Sequence, residues 1–213
     1  MEKPSILAPK NAGADITRSD TAQFANWDEL RLYAKAKEQS TVRWFVMRAH
    51  KSEKKAEESL ATAGGLEYYI PKTYVVREFH GKKTKRLVPV IPDMIFVHAS
   101  QKQLVEFKKA NNFLQFVVWH KSTGPEYLTV PDAQMNDFIR VSSHPEIDTL
   151  YLKPDEINIA QGARVRILGG DLDGVTGVFM KVKGKRNRRL VVMLDGILAV
   201  SADIAPDLVQ VID

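Results

Sequence analysis

Six cations stand within nine residues in the last quarter of the chain: Lys181, Lys183, Lys185, Arg186, Arg188 and Arg189, with no acid among them. A second cluster at 77–86 holds Arg77, Lys82, Lys83, Lys85 and Arg86 against Glu78 alone. Side chains of this type crowded on a short loop suit contact with phosphates, which gives affinity that ignores sequence and weakens with salt. They equally suit a solvated turn. The net charge of +5 and a pI near 9.3 agree with both readings.

Catalytic chemistry finds little footing. His50, His80, His98, His120 and His144 show no metal-ligand spacing. There is no cysteine, so thiolate nucleophiles, thiolate metal sites and disulfides are excluded, and a reducing compartment fits. No phosphate-binding glycine loop and no G-x-S-x-G elbow occurs. Gly169-Gly170-Asp171-Leu172-Asp173-Gly174 lacks the lysine and hydroxyl of a P-loop and reads as a turn. The chain is read as non-catalytic, with no metal and no cofactor. No apolar run reaches the roughly 18 residues of a membrane span, and no signal-like start is visible, so a cytoplasmic protein without a membrane partner is expected.

These clusters need elements to carry them. Residues 1–43 form an extension, polar at first, with a short helix from about Asn26 to Gln39, where Asn26 caps and Asp28 and Glu29 occupy the first turn. Trp44 to Arg48 reads as a strand. A helix follows, capped by Ser52 and stopped at Gly64-Gly65. Glu67 to Phe79 is a strand broken at Pro71, Gly81-Lys82-Lys83 a hairpin tip, and Leu87 to Ala99 a returning strand bulged at Pro89 and Pro92. A helix over 101–110, a strand over 113–119, a short strand at 127–130 and a helix from Asp132 to Val141 complete this part. The stretch 146–160, with Pro154, is a polar linker. Residues 161–213 alternate apolar and polar between glycine turns, giving five short strands and a small barrel.

In 94–98, Met94, Phe96 and His98 share one face of the strand and Ile95 and Val97 the other. Trp44, Val46 and Arg48 share a face in the first strand. Large groups on both faces fit either an intramolecular core on each side or one face left for a partner.

Two stretches resemble the NusG family. Arg43-Trp44-Phe45-Val46 is similar to its opening strand, and Pro89-Val90-Ile91-Pro92-Asp93-Met94-Ile95-Phe96-Val97 to its P-L-F-P-G-Y-V-F-V segment. Residues 161–177 resemble a KOW motif, G-x-x-V-R-V followed by a turn and G-x-x-G. The pattern departs from the family at Asp93, at Val117-Val118-Trp119-His120-Lys121 in place of a glycine-rich stretch, and at Leu194 to Val200 in place of a phenylalanine-glycine-arginine turn. In these departures the chain is similar to UpxY-type antiterminators of bacterial polysaccharide operons.

The resemblance implies an α+β protein. An NGN-type antiparallel sheet flanked by helices would span 44–145, and an all-β, SH3-like KOW barrel 161–213. It implies a monomeric elongation and antitermination factor that grips the clamp helices of RNA polymerase through Trp44, Ile91, Pro92, Met94 and Phe96. Lys82, Lys83, Lys85 and Arg86 would face DNA. Lys183, Lys185, Arg186, Arg188 and Arg189 would hold nucleic acid if the barrel binds any. The barrel would recruit a ribosomal protein or a termination factor. The rival reading is a ribosome- or RNA-binding KOW protein that makes no polymerase contact.

Overall fold

The computed structural model describes residues 27–50, 53–62, 66–122, 124–144, 147–158 and 162–212. The expected caps at Asn26 and Ser52 and the Gly64-Gly65 stop lie outside them. The first part of the chain runs α1 (Trp27–Ser40), β1 (Val42–Arg48), α2 (Glu53–Thr62), β2 (Glu67–Tyr69), β3 (Lys72–Phe79), β4 (Lys82–Pro89), β5 (Met94–Ser100), α3 (Gln101–Ala110), β6 (Gln115–Phe116), β7 (Val118–Lys121), β8 (Gly124–Tyr127), β9 (Thr129–Val130) and α4 (Asp132–Ser142). The second runs β10 (Thr149–Leu152), β11 (Ala163–Ile167), β12 (Thr176–Lys181), β13 (Arg188–Leu194), β14 (Leu198–Ala202) and β15 (Val209–Val211).

The antiparallel sheet of the first part orders β2-β5-β1-β6, with β9 also on β1. Its register pairs Trp44 with His98 and Val46 with Phe96. Period-two alternation then sends Phe45, Met47, Ile95 and Val97 to one face, where Ala56, Leu60 and Leu104 from α2 and α3 complete a core. Trp44, Val46, Met94 and Phe96 take the other face and pack with Met135, Phe138 and Val141 of α4. Ser100 starts α3 with a reciprocal capping box: its hydroxyl accepts from the Gln103 backbone N–H, and the Gln103 side chain accepts from the Ser100 N–H.

The strand expected over 87–99 is two strands. Pro89 ends β4, Val90 to Asp93 turn, and β5 begins at Met94 in a different sheet. Asp93 makes this possible by adopting φ 62°, a left-handed conformation that aspartate tolerates better than most residues. The Glu53 carboxylate accepts from the Asp93 backbone N–H. β3 and β4 form a two-stranded hairpin of their own. Its tip is His80-Gly81, one residue earlier than expected, both with positive φ (48° and 72°), as a two-residue hairpin turn with right-handed strand twist requires. A second hairpin, β7–β8, stands between the strands expected over 113–119 and 127–130 and overlaps the end of one and the start of the other.

The expected linker carries structure. Residues 149–152 form β10, which pairs with β14 and so becomes the edge of the C-terminal sheet, ordered β10-β14-β13-β12-β11-β15. The remaining strands fall where the alternation puts them. The Gly169–Gly174 segment is a turn, with the Asp173 carboxylate accepting from the Gly169 N–H at 2.6 Å. Gly177, on β12, lies so close to β13 that an added Cβ would come within 2.6 Å of the Val191 carbonyl oxygen and 2.8 Å of Leu190 Cδ1.

The first of these atoms belongs to backbone and cannot swing aside. Gly177→Ala is therefore expected to destabilise the barrel by about 1–3 kcal/mol, as overpacking does. Thermal unfolding of the full chain checks this. An unchanged melting temperature would mean that the β12–β13 pair parts without cost.

Candidate functional site

Among the five residues expected to form a docking face, three are core. Trp44 is 2% exposed, Met94 9% and Phe96 0%. The reason is α4, which lays Met135, Phe138 and Val141 over that face of the sheet. The Trp44 ring also stacks on His98, with centroids 4.9 Å apart and planes 18° off parallel, and His98 Nδ1 lies 3.1 Å from Glu67. Both faces of the sheet are thus closed within the chain. Ile91 is half-buried and Pro92 exposed, and they lie together on the turn before β5.

The barrel packs on the far side of α4. Val165, Ile167, Leu190, Val192, Leu194, Leu198 and Val200 belong to the same apolar cluster as Trp44 and Phe138. Polar contacts fix the register. Gln134 Nε2 donates to Asp195 at 3.1 Å. The Asp137 carboxylate accepts from the Thr176 N–H at 3.1 Å and its hydroxyl at 2.7 Å. Arg140 donates to the Asp171 carbonyl at 3.1 Å, and His144 Nε2 stands 3.1 Å from the Asp171 carboxylate. Trp119 on β7 lies over Gly196, where an added Cβ would meet its ring at 2.7 Å.

The basic run at 181–189 splits into two groups. Arg189 is 2% exposed. Its Nε donates to Ser201 Oγ at 3.1 Å and one Nη to Asp148 at 3.0 Å; the other Nη donates to the carbonyls of Asp148 and Ser201. This corrects its expected role, because its donors are spent inside the barrel. Lys185 is tied to the same Asp148 carboxylate at 3.0 Å. Lys183, Arg186 and Arg188 are exposed. On the β3–β4 hairpin, Lys82, Lys83, Lys85 and Arg86 are all exposed, as expected.

Sequence reasoning passed over what accompanies those hairpin cations. Tyr74 is 61% exposed, Val76 65% and Leu87 52%. Tyr74 pairs with Leu87 and Val76 with Lys85, so all four side chains share one face. Lys85 Nζ lies 4.2 Å from the centroid of the Tyr74 ring. The spacing Tyr74-x-Val76 marks the two as sharing a face, but it does not say whether anything covers that face.

An antiparallel sheet held between helices, carrying a small all-β barrel on its last helix, defines an α+β protein. Residues 42–139 match the family model described as "Transcription termination factor nusG". Over those residues, a little under half of the chain, it is NusG-like, and this part is of the NGN type. Proteins of that family are transcription factors that bind RNA polymerase and are not enzymes. No curated protein matches the chain. Among the described residues, no helix is long and apolar enough to cross a membrane.

Hydrogen bonds from Lys185 and then Arg189 hold the Asp148 carboxyl below its ordinary pKa of 3.8. A carboxylate depressed in the folded state contributes stability that is full above its unfolded pKa and is lost as pH falls through the folded value. Below about pH 4, the native barrel is expected to lose stability more steeply than the Asp148→Asn variant, which cannot titrate there. Melting temperatures of both proteins between pH 6 and pH 3, roughly the range that brackets this titration, check the difference. Parallel curves would remove Asp148 from the account.

Proposed function

We propose that this protein is a specialised transcription elongation and antitermination factor of the bacterial cytoplasm. It binds RNA polymerase at the clamp helices through its NGN domain, holds the clamp closed, and suppresses pausing and termination across a polysaccharide operon. The observation that carries this reading is the family match over 42–139. The departures at Asp93, 117–121 and 194–200 support the specialised role. The C-terminal barrel acts as a KOW module, open to a ribosomal protein or a termination factor, and the protein works as a monomer. Copurification with RNA polymerase separates this reading from that of a KOW protein that binds ribosome or RNA alone. Absence of polymerase from the purified complex would overturn it.

Within this reading the contact belongs to the Ile91-Pro92 turn, with Trp44, Met94 and Phe96 holding that turn from beneath. Interface anchors typically cost about 2 kcal/mol when truncated, roughly thirty-fold in affinity. Replacing Ile91 and Pro92 together by Ala is expected to lower polymerase binding on that scale while the melting temperature changes little. Met94→Asp is expected to fail differently. It puts a carboxylate into the core under α4, costing about 3 kcal/mol or more, and unfolds the domain. A folded Met94→Asp protein, or an Ile91/Pro92 variant that binds polymerase normally, would move the site elsewhere.

Barrel contact with nucleic acid, if present, rests on Lys183, Arg186 and Arg188. Replacing these three by Ala is expected to flatten the salt dependence of binding by about two to three units of log–log slope. Arg189→Ala is expected to lower the melting temperature instead. An unchanged slope would leave the loop as a solvated turn.

A further inference from the structure

The seam between α4 and the barrel does not close completely. A cleft of about 210 Å3 opens there, with α4 on one side and β11, β12 and β13 on the other. Pockets for small molecules occur preferentially where two packed units meet. This one is smaller than the roughly 300–1,000 Å3 of drug-sized ligands and much larger than the ~30 Å3 that one water takes in the liquid. It has room for a ligand of a few heavy atoms.

The polar part of its lining is short of donors. Gln134 Nε2 donates to Asp195 Oδ2 at 3.1 Å. A carboxylate only accepts, so that contact fixes which end of the amide is which. It leaves Gln134 Oε1 buried, with no donor among the described residues. A buried acceptor without a donor bears its full desolvation cost. Asp137 commits Oδ2 to the Thr176 N–H and hydroxyl. Its Oδ1 and that of Asp195 remain to accept. Arg164 also lines the cleft, but it is exposed, and an exposed cation spends its donors on water.

Val178, Val192, Met193 and Ile212 give the cleft an apolar wall, where water finds nothing to bond. Three acceptors, two of them on carboxylates, beside such a wall call for a cation with several donors and a hydrocarbon body. Guanidinium meets the first need better than ammonium. It carries five donors in one plane and is the more weakly hydrated of the two. We propose that this cleft is a binding site for a small alkylguanidinium. Its planar head bonds to Gln134 Oε1, Asp137 and Asp195, and its alkyl group lies against the apolar wall. Because α4 supplies one side of the site and the barrel the other, the ligand binds only while the two are packed, and it stabilises that packing by mass action. The site needs no polymerase contact and is independent of the elongation-factor reading.

Titration of the full-length protein with n-butylguanidinium, with its neutral isostere n-butylurea and with unsubstituted guanidinium tests it, sodium chloride matching the ionic strength throughout. Butylguanidinium is expected to bind at one site per chain. The urea lacks the charge and guanidinium lacks the alkyl body, so each is expected to bind about ten-fold more weakly or worse. Asp195→Asn keeps the shape and removes one charge, and is expected to weaken butylguanidinium roughly ten-fold. Gln134→Leu removes the buried oxygen at similar size and is expected to weaken it on the same scale. Melting temperatures of the two variants separate loss of contact from loss of fold, and either variant alone suffices if the other unfolds. The Thr176 N–H donates across the seam to Asp137. With butylguanidinium at ten times its dissociation constant, hydrogen exchange at that amide is expected to slow about ten-fold. Butylurea bound as tightly as butylguanidinium, unchanged affinity in folded variants, or binding without protection of Thr176 would each overturn the proposal. So would no binding at all, which would leave water or Arg164 to meet these oxygens.

Discussion

The packing of this molecule depends on one short helix that meets the sheet and the barrel together, through an apolar stripe and the polar residues beside it. The helix α4 has eleven residues, and Met135, Phe138 and Val141 are all fully buried. A surface helix normally presents one apolar stripe and leaves its other side to water. Here Gln134, Asp137 and Arg140, beside that stripe, bond to the barrel. The sheet and the barrel are consequently joined through a single continuous cluster with α4 as its middle layer. Removing volume from Phe138 would be felt by both. The phenol of Tyr151, whose ring lies 6.3 Å from Phe138, is pushed well above its ordinary pKa by burial, although it belongs to a segment that reads as a polar linker.

That constraint explains which surfaces remain for partners. With both faces of the sheet closed, exposed features among the described residues include the Ile91-Pro92 turn, the β3–β4 and β7–β8 hairpins and the loop between β12 and β13. The cations follow the same division. Arg189 lies on a strand that is buried on the barrel side, and a buried guanidinium must find partners for its donors. Asp148 and Ser201 meet that requirement, which ties residue 148 to the barrel just before β10 begins. Lys183, Arg186 and Arg188 lie on or beside the loop and face no such demand.

The fold was legible because periodicity is local. Alternation in 42–48, 94–100 and 163–211 and the apolar spacing of 132–142 each report an element with little help from the rest of the chain. What covers a face is not local. The alternation that marks Trp44, Met94 and Phe96 as one face cannot say whether α4, roughly forty to ninety residues away in the numbering, lies on it. The same blindness made Arg189 look like its neighbours and made the four residues Thr149–Leu152 look like a tether. Leu150 and Leu152 offer too few apolar positions to register as a strand until β14 is beside them. Pro89 and Pro92 were read as a bulge because a strand break needs Asp93 to turn left-handed, and aspartate does so less often than glycine.

The two departures from the family pattern that looked unrelated along the chain meet in space. Trp119 belongs to the stretch that replaces a glycine-rich segment, and Gly196 to the one that replaces an aromatic-glycine-arginine turn. Gly196 has φ 72°, which already favours glycine, and the space where its side chain would be is filled by the Trp119 ring. A side chain at 196 would clash with the indole. Beside them, Asp195 accepts from Gln134. The indole, the glycine and this carboxylate form one complementary patch, built across the seam between the first domain and the barrel. Residues 119 and 196 therefore bear on how the barrel meets the first part of the chain.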